Sequence, residues 1–368
     1  MRSHHPSVEQ RPVIAIVYTV SSRLGWRAAA TRGGPIGEII IADSLTHGLR
    51  SLGFKVLELG RLREFAAQLT PSRARPDVIF FDPWTLELAC THRLVGTGMT
   101  SRMFVLESFG TAPDMVPSWA PWLTPRRYLV PLPRPDYGWN TFLGFTPFRD
   151  MTPRVDGPDS LRDRIRACLR GKKRQGVIWA KEARFISEDV HTLIRSLTAL
   201  CPMHATISVE KGFRVDLFPS GVANHGVLGA TRFRALLAES SFILGVGDPI
   251  SGFSAVDAMA AGCVVINPGF SPPRPVNGNA RLPVTSQVPF AEHIGPPFVH
   301  TVNLADHAAA LSAAATSFDI DATVHALLSG SGHRFVRALA VYTEPAYVER
   351  LRAIVASTQS SQLVPTGS

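Results

Sequence analysis

FILGVGDPISGFSAVDAMAAGCVVINPGFSPP, residues 242–273, places an apolar run, a glycine-rich turn, a short helical pattern and a second apolar run in immediate succession. Phe242, Ile243 and Leu244 predict a buried strand bounded by Gly245 and Gly247. DPISGFS follows as a turn, residues 255–261 carry a helical pattern, Gly262 stops it, and residues 263–266 resume as a strand. This order is the repeating unit of an open parallel sheet, whose ligands sit beyond the carboxyl ends of the strands. A helix that starts on that edge offers unpaired N–H groups to an anion, so Gly252, Phe253 and Ser254 are expected to face a phosphate. Asp257, one turn further on, is placed to reach ribose hydroxyls. An ordinary crossover with a tight glycine turn has the same local pattern. The segment lacks the Gly-Lys-Ser/Thr ending of a P-loop and the glycine spacing of a dinucleotide fingerprint, which leaves a nucleotide diphosphate as the expected anion.

Outward from this unit, apolar runs at 176–180, 204–209 and 299–302 predict strands, and residues 187–200 and 231–240 predict helices. Together they define a second α/β domain over 172–340. The first domain, 11–155, opens on a continuous apolar strand at 13–18. A helix follows through Ile40, Ile41, Leu45 and Leu49, then strands at 54–59, 78–82 and 103–106. Residues 113–135 are crowded with proline and tryptophan and predict irregular structure; 149–173 predicts a linker, and 272–297 a loop of prolines and glycines. The last segment, 341–358, predicts a helix that crosses back onto the first domain. The expected fold class is α/β, with two Rossmann-like domains facing each other across a cleft.

The 368-residue chain is 45% hydrophobic and 18% charged, enough apolar material for two cores. Its net charge of +9 is dispersed, and the one dense basic run, residues 170–174, lacks the interleaved aromatics or reading helix of a nucleic-acid binder. Such a basic surface suits an anionic substrate. Cys90, Cys168, Cys201 and Cys263 show neither CxxC pairing nor zinc spacing, so free thiols in a reducing compartment are expected. The opening MRSHHPSVEQ has no signal-peptide core and no apolar run reaches membrane-span length, which points to a soluble cytoplasmic protein. Asp319-Ile320-Asp321 mimics a DxD metal motif but sits among late helices and is read as a helix cap. The histidines share no metal spacing, and His225 is read as a turn or wall residue.

Two Rossmann-like halves with the nucleotide elements in the second describe the GT-B glycosyltransferase architecture. Six ordered blocks go further: GGPIGE at 33–38, LESFGTAPD at 106–114, FLGF at 142–145, NHGVL at 224–228, the 242–273 stretch and TSQVPFAEHIGPP at 285–297. With Lys181-Glu182 after a strand, they make the chain resemble the α-1,6-mannosylglycoprotein 6-β-N-acetylglucosaminyltransferase family, N-acetylglucosaminyltransferase V. The resemblance implies an inverting, metal-independent transfer of GlcNAc from UDP-GlcNAc to a glycan hydroxyl, with no cofactor. Inversion needs a base for the acceptor proton. The family's carboxylate falls on Glu38, just past Gly34 in the Gly-Gly-Pro turn; read alone, Glu38 is also a carboxylate favoured by a helix dipole.

Lys181 matches the family's basic residue for the β-phosphate, and a solvated lysine is its plain alternative. Asp257 stands where the family usually has Glu. Thr285, Ser286 and Gln287 match a cleft-facing segment, or else serve as turn residues. Glu107, where the family usually shows Asp, is expected on the acceptor side or as a cap. A form without the anchor and cysteine-rich stem of the animal Golgi members is expected, so N-glycan mannose is not assumed as the acceptor, and a bacterial or fungal glycan, a lipid-linked sugar or a protein stand as alternatives. A nucleotide-sugar epimerase or hydrolase of the same architecture, or a glycan-binding protein without catalysis, are the competing readings.

Overall fold

The computed structural model describes residues 13–17, 37–69, 76–108, 110–133, 138–147, 155–209, 218–247, 250, 252–276 and 279–360, with backbone alone at 38, 276, 279–282, 359 and 360. Gly34 therefore lies outside the described residues, and Glu38 is described by its backbone.

The first lobe begins with β1 (Val13–Val17), α1 (Gly37–Ser51), β2 (Lys55–Leu59), α2 (Leu62–Gln68), β3 (Val78–Phe81), α3 (Pro83–Thr91) and β4 (Met103–Leu106), and ends with β5 (Tyr128–Val130) and β6 (Thr141–Phe142). Its six strands run in the order β2-β1-β3-β4-β5-β6, all parallel. Side chains alternate across the sheet. Ile14, Ile16, Val78, Phe80 and Phe104 meet α1, while Ala15, Val17, Ile79, Phe81 and Val105 meet Phe65 of α2 and Leu86 of α3. Both faces are covered, and that is why these strands read as unbroken apolar runs.

The second lobe continues with α4 (Pro158–Arg170), β7 (Lys173–Glu182), α5 (Glu188–Thr198), β8 (Met203–Ser208), β9 (Val222–Asn224), α6 (Ala230–Glu239), β10 (Ser240–Gly245) and α7 (Ser254–Ala260). Then come β11 (Val264–Val276), β12 (Asn279–Ser286), β13 (Val299–Asn303), α8 (His307–Thr316), α9 (Ile320–Ala326), α10 (Gly330–Ala340) and α11 (Glu344–Ser360). The sheet order is β12-β11-β10-β7-β8-β9, with β13 on β11; only the β11–β12 pair is antiparallel.

Two expectations are corrected. Residues 149–173 are not all linker: α4 buries Leu161, Ile165 and Leu169, one helical face, in the second-lobe core. The proline-rich loop after residue 272 is in part the β11–β12 hairpin arm. Asp319 caps α9 by accepting a 2.9 Å hydrogen bond from Ala322 N–H.

The last helix belongs to the first lobe. Tyr347, Leu351, Ile354 and Val355 of α11 are buried against α1 and the first sheet, and at Gly48 an added Cβ would stand 2.9 Å from Leu351 Cδ2 and Tyr347 Cε1. Burying four such side chains contributes on the order of 10 kcal/mol before entropy costs. Arg350 fixes the crossing, donating from Nε to Leu143 O at 3.0 Å while its guanidinium lies 4.7 Å over the Phe142 ring. Among the described residues no helix is long and apolar enough to cross a membrane.

Candidate active site

In the second sheet the chain lays β8 and β9 on one side of β7 and adds β10, β11 and β13 on the other. The connections therefore diverge between β7 and β10, and the carboxyl ends of these two strands border the crevice where such sheets bind ligands. Lys181 stands exposed at the end of β7. Gly245, at the end of β10, is in register with Trp179, and Val246 N–H donates to Trp179 O at 2.8 Å. Lys181 and the glycine turn thus share one edge.

The turn is shaped by aromatic rings that the sequence pattern did not single out. Gly247 has φ of +83°, and a Cβ there would overlap Phe185 Cβ and Cγ. A Cβ at Gly252 would stand 3.0 Å from Trp179 Cη2. Gly247 is required by close approach and by its left-handed backbone, while a side chain at Gly252 would press on the Trp179 ring, which would have to give by a few tenths of an ångström. Gln287 completes the floor: its Nε2 donates to Gly247 O at 2.8 Å. Gln287, read as cleft-facing or as a turn residue, is buried and holds the turn's backbone.

Ser286 carries the same two readings, cleft-facing or turn residue. It is fully buried, accepts from Asn267 Nδ2 at 3.0 Å and donates to Glu292. Thr285 Oγ1 donates to the same carboxylate at 2.8 Å, and Asn267 Oδ1 accepts from Val288 N–H at 2.8 Å. Asn267 and Glu292 are the polar centre of this network, and a buried Asn inside an apolar strand was its available signal. Asp257 is 7% exposed, and its Oδ1 lies 3.5 Å from Arg234 Nε on α6. Burial pushes the carboxyl up from its ordinary value, against the opposing pull of Arg234. In the described structure the Asp257 carboxylate faces Arg234.

On the first lobe, Glu107 follows β4 and its N–H donates to Leu129 O at 2.9 Å. Burial, reinforced by the Glu107 carboxylate, pushes the Tyr128 phenol up. The block after Glu107 is folded by Asn140, which accepts from Thr111 N–H at 3.0 Å and donates to Thr111 O at 2.9 Å and Pro125 O at 3.1 Å. Asn140 also escaped the sequence reading, because its partners are far along the chain.

The two edges meet. Gly37, the first residue of α1, lies so close to the Phe253 ring that a Cβ would overlap Cδ2 and Cε2. Glu38 is the next residue, and Ser254, the first of α7, follows Phe253. Nearby, Ile250 of the turn packs with Ala112 and Val284. The described structure brings the helix carrying Glu38 to the turn carrying Gly252, Phe253 and Ser254, with Lys181 on the same second-lobe edge. Among the described residues no group of three or more His, Cys, Asp or Glu side chains is arranged to hold a metal.

The model of glycosyltransferase family 18 matches residues 3–328. Alpha-1,6-mannosylglycoprotein 6-beta-N-acetylglucosaminyltransferase A of Cricetulus griseus is 27% identical over 334 residues, covering 80% of this chain and 43% of that protein. The B enzyme of Homo sapiens is 26% identical over 307 residues, 74% of this chain and 37% of that protein. The chain thus spans less than half the length of these relatives. Among solved structures, AviGT4, a glycosyltransferase involved in avilamycin A biosynthesis, superposes with a TM-score of 0.52 at 15% identity, covering 94% of this chain and 98% of that one. The shared fold is GT-B, and with a family model matched over nearly its whole described length, the chain belongs to glycosyltransferase family 18.

Proposed function

We propose that the chain is an inverting, metal-independent glycosyltransferase that moves GlcNAc from UDP-GlcNAc to a hydroxyl of a glycan acceptor, with Glu38 as general base. The observation that carries this reading is the contact of Gly37 with Phe253, which supports a base and a donor turn on opposite lobes of one cleft. The acceptor oxygen attacks the anomeric carbon as its proton passes to the Glu38 carboxylate, and the bond to the β-phosphate oxygen breaks with its electron pair leaving on UDP. The start of α1 favours an ionised carboxylate, the form a base requires. Lys181, the Gly252 and Phe253 amides and the Ser254 hydroxyl are the groups that meet the negative charge growing on the leaving diphosphate. Asp257 serves the ribose only if its carboxylate shares the ion pair with Arg234. Gln287 acts by holding the floor of the turn, and Ser286 by tying Asn267 to Glu292 beside it.

Glu38→Gln tests the assignment. Transfer falls by about 10²–10⁴-fold while the thermal midpoint and the stabilisation by UDP stay at wild-type values. Retained turnover refutes the base. UDP-GlcNAc stabilises the protein where GDP-sugars do not, a chelator leaves the rate unchanged, and consumption of the donor without acceptor would point to the epimerase or hydrolase reading.

A further inference from the structure

Resting on that reading, we infer that the Phe253 side chain is a positioning residue: its ring, projecting from the donor turn, sets where the first turn of α1, and with it Glu38, stands relative to the donor. Phe253 occupies the residue before α7, where Ser, Thr, Asp or Asn ordinarily caps a helix with a gain of about 1 kcal/mol, and it makes no capping hydrogen bond. Its ring crosses to the other lobe instead. It packs edge-on to Phe145 with centroids 5.1 Å apart, and Phe145 in turn lies 5.1 Å from Tyr342 at the approach to α11.

On the α1 side the fit has no slack. Gly37 admits nothing larger than hydrogen, and Ile40, one turn on, packs against the same cluster. Ser44, a further turn along this face, accepts from the N–H and the hydroxyl of Thr146, each at 3.1 Å, beside Phe145. The face of α1 formed by Gly37, Ile40 and Ser44 is therefore seated on one aromatic wedge and its flanking strand end. Glu38 is joined directly to the residue under the ring. A shift of about 1 Å at a catalytic group lowers rate on the order of 10²-fold, so the wedge bears on turnover more than on donor affinity.

The test is a cycle of Phe253→Leu, Gly37→Ala and the double variant, each measured for thermal midpoint, UDP dissociation constant, kcat and donor KM. Hydrogen exchange of the first turn of α1 is followed with and without UDP. Each single variant is expected to lower kcat by about 10- to 100-fold with UDP binding changed far less. In the double variant the smaller side chain makes room for the added methyl, so its loss is well below the product of the two singles. UDP slows exchange in the first turn of α1 in the wild type and not in Phe253→Leu. Singles that keep wild-type kcat, multiplicative losses in the double, or equal UDP protection in wild type and Phe253→Leu each overturn the inference. A wild type that binds no UDP overturns the functional reading and this inference together, whereas an active wild type with unaffected Phe253 variants overturns the inference alone.

Discussion

The two edges that face each other across the cleft are built in opposite ways. On the second lobe the donor turn is held from below: Phe185 fills the space at Gly247, Trp179 the space at Gly252, and Gln287 bonds the Gly247 carbonyl. All of these partners belong to the same lobe. On the first lobe the block after β4 hangs from one distant amide, Asn140, and the start of α1 takes its seat from a ring that the other lobe supplies. The donor edge is preformed by local packing, while the acceptor edge is completed by long-range contacts, some of them across the cleft. Lesions on the two sides therefore separate in their readouts.

Among variants that separate the two edges, Gly247→Ala is expected to have the largest effect. An L side chain at φ of +83° costs about 1–2 kcal/mol, and overlap with the root of Phe185 adds about 1–3 kcal/mol. Calorimetry should show UDP binding weakened by more than about tenfold. Unchanged affinity would mean the aromatic floor does not shape the turn.

Asn140→Ala strikes the other edge. Loss of its three bonds leaves both Thr111 backbone groups unpaired, at about 1–3 kcal/mol. Here the acceptor KM should rise and the thermal midpoint fall while UDP affinity holds; a matching loss of UDP affinity would erase the distinction between the edges.

Asp319→Ala touches neither edge. Removing a cap should cost about 1 kcal/mol of stability and leave both binding constants and the response to chelators as they were. A change in transfer would give the Asp319-Ile320-Asp321 sequence a part in the reaction after all.

The smallest effect is a pH dependence of the second lobe. His204 Nδ1 lies 3.0 Å from His225 Nε2, and burial, with the neighbouring His225, holds His204 below its ordinary value of 6.5. Burial does the same to His300. The unfolded chain binds these protons first, so the contribution of these two imidazoles to stability is complete above about pH 6.5 and declines as pH falls below it. His204→Gln should flatten that decline in thermal scans between pH 7.5 and 5.5, without altering UDP affinity at pH 7.5. An unchanged slope would exclude His204 as its source.

The parts of the molecule legible in the sequence are those whose cause is local. Unbroken apolar runs mark β1, β3, β4, β7 and β10 because both faces of each sheet are covered. The glycine turn reads correctly because Gly245, Gly247 and Gly262 punctuate it. Helix α4 was hidden by its many arginines, although Leu161, Ile165 and Leu169 carry the four-residue spacing of a buried stripe. Strand β5 spans three residues, too few for any periodicity. Phe185 under Gly247 and Phe253 against Gly37 had no sequence signal, since a ring's destination depends on how two separated segments are brought together. Ser286, Gln287 and Asp257 carry polar side chains near this turn, but the direction of a side chain at the end of a strand or inside a buried helix is decided by packing partners such as Glu292, the Gly247 carbonyl and Arg234.

Helix α11 has a consequence for how the molecule is made. The first lobe's sheet and α1 leave the ribosome early, yet the face on which Tyr347 and Leu351 lie stays uncovered until residues 344–360 have been synthesised. The lobe begun first is thus finished last, and until then it carries an uncovered apolar surface of the kind that makes a partly folded chain prone to aggregate.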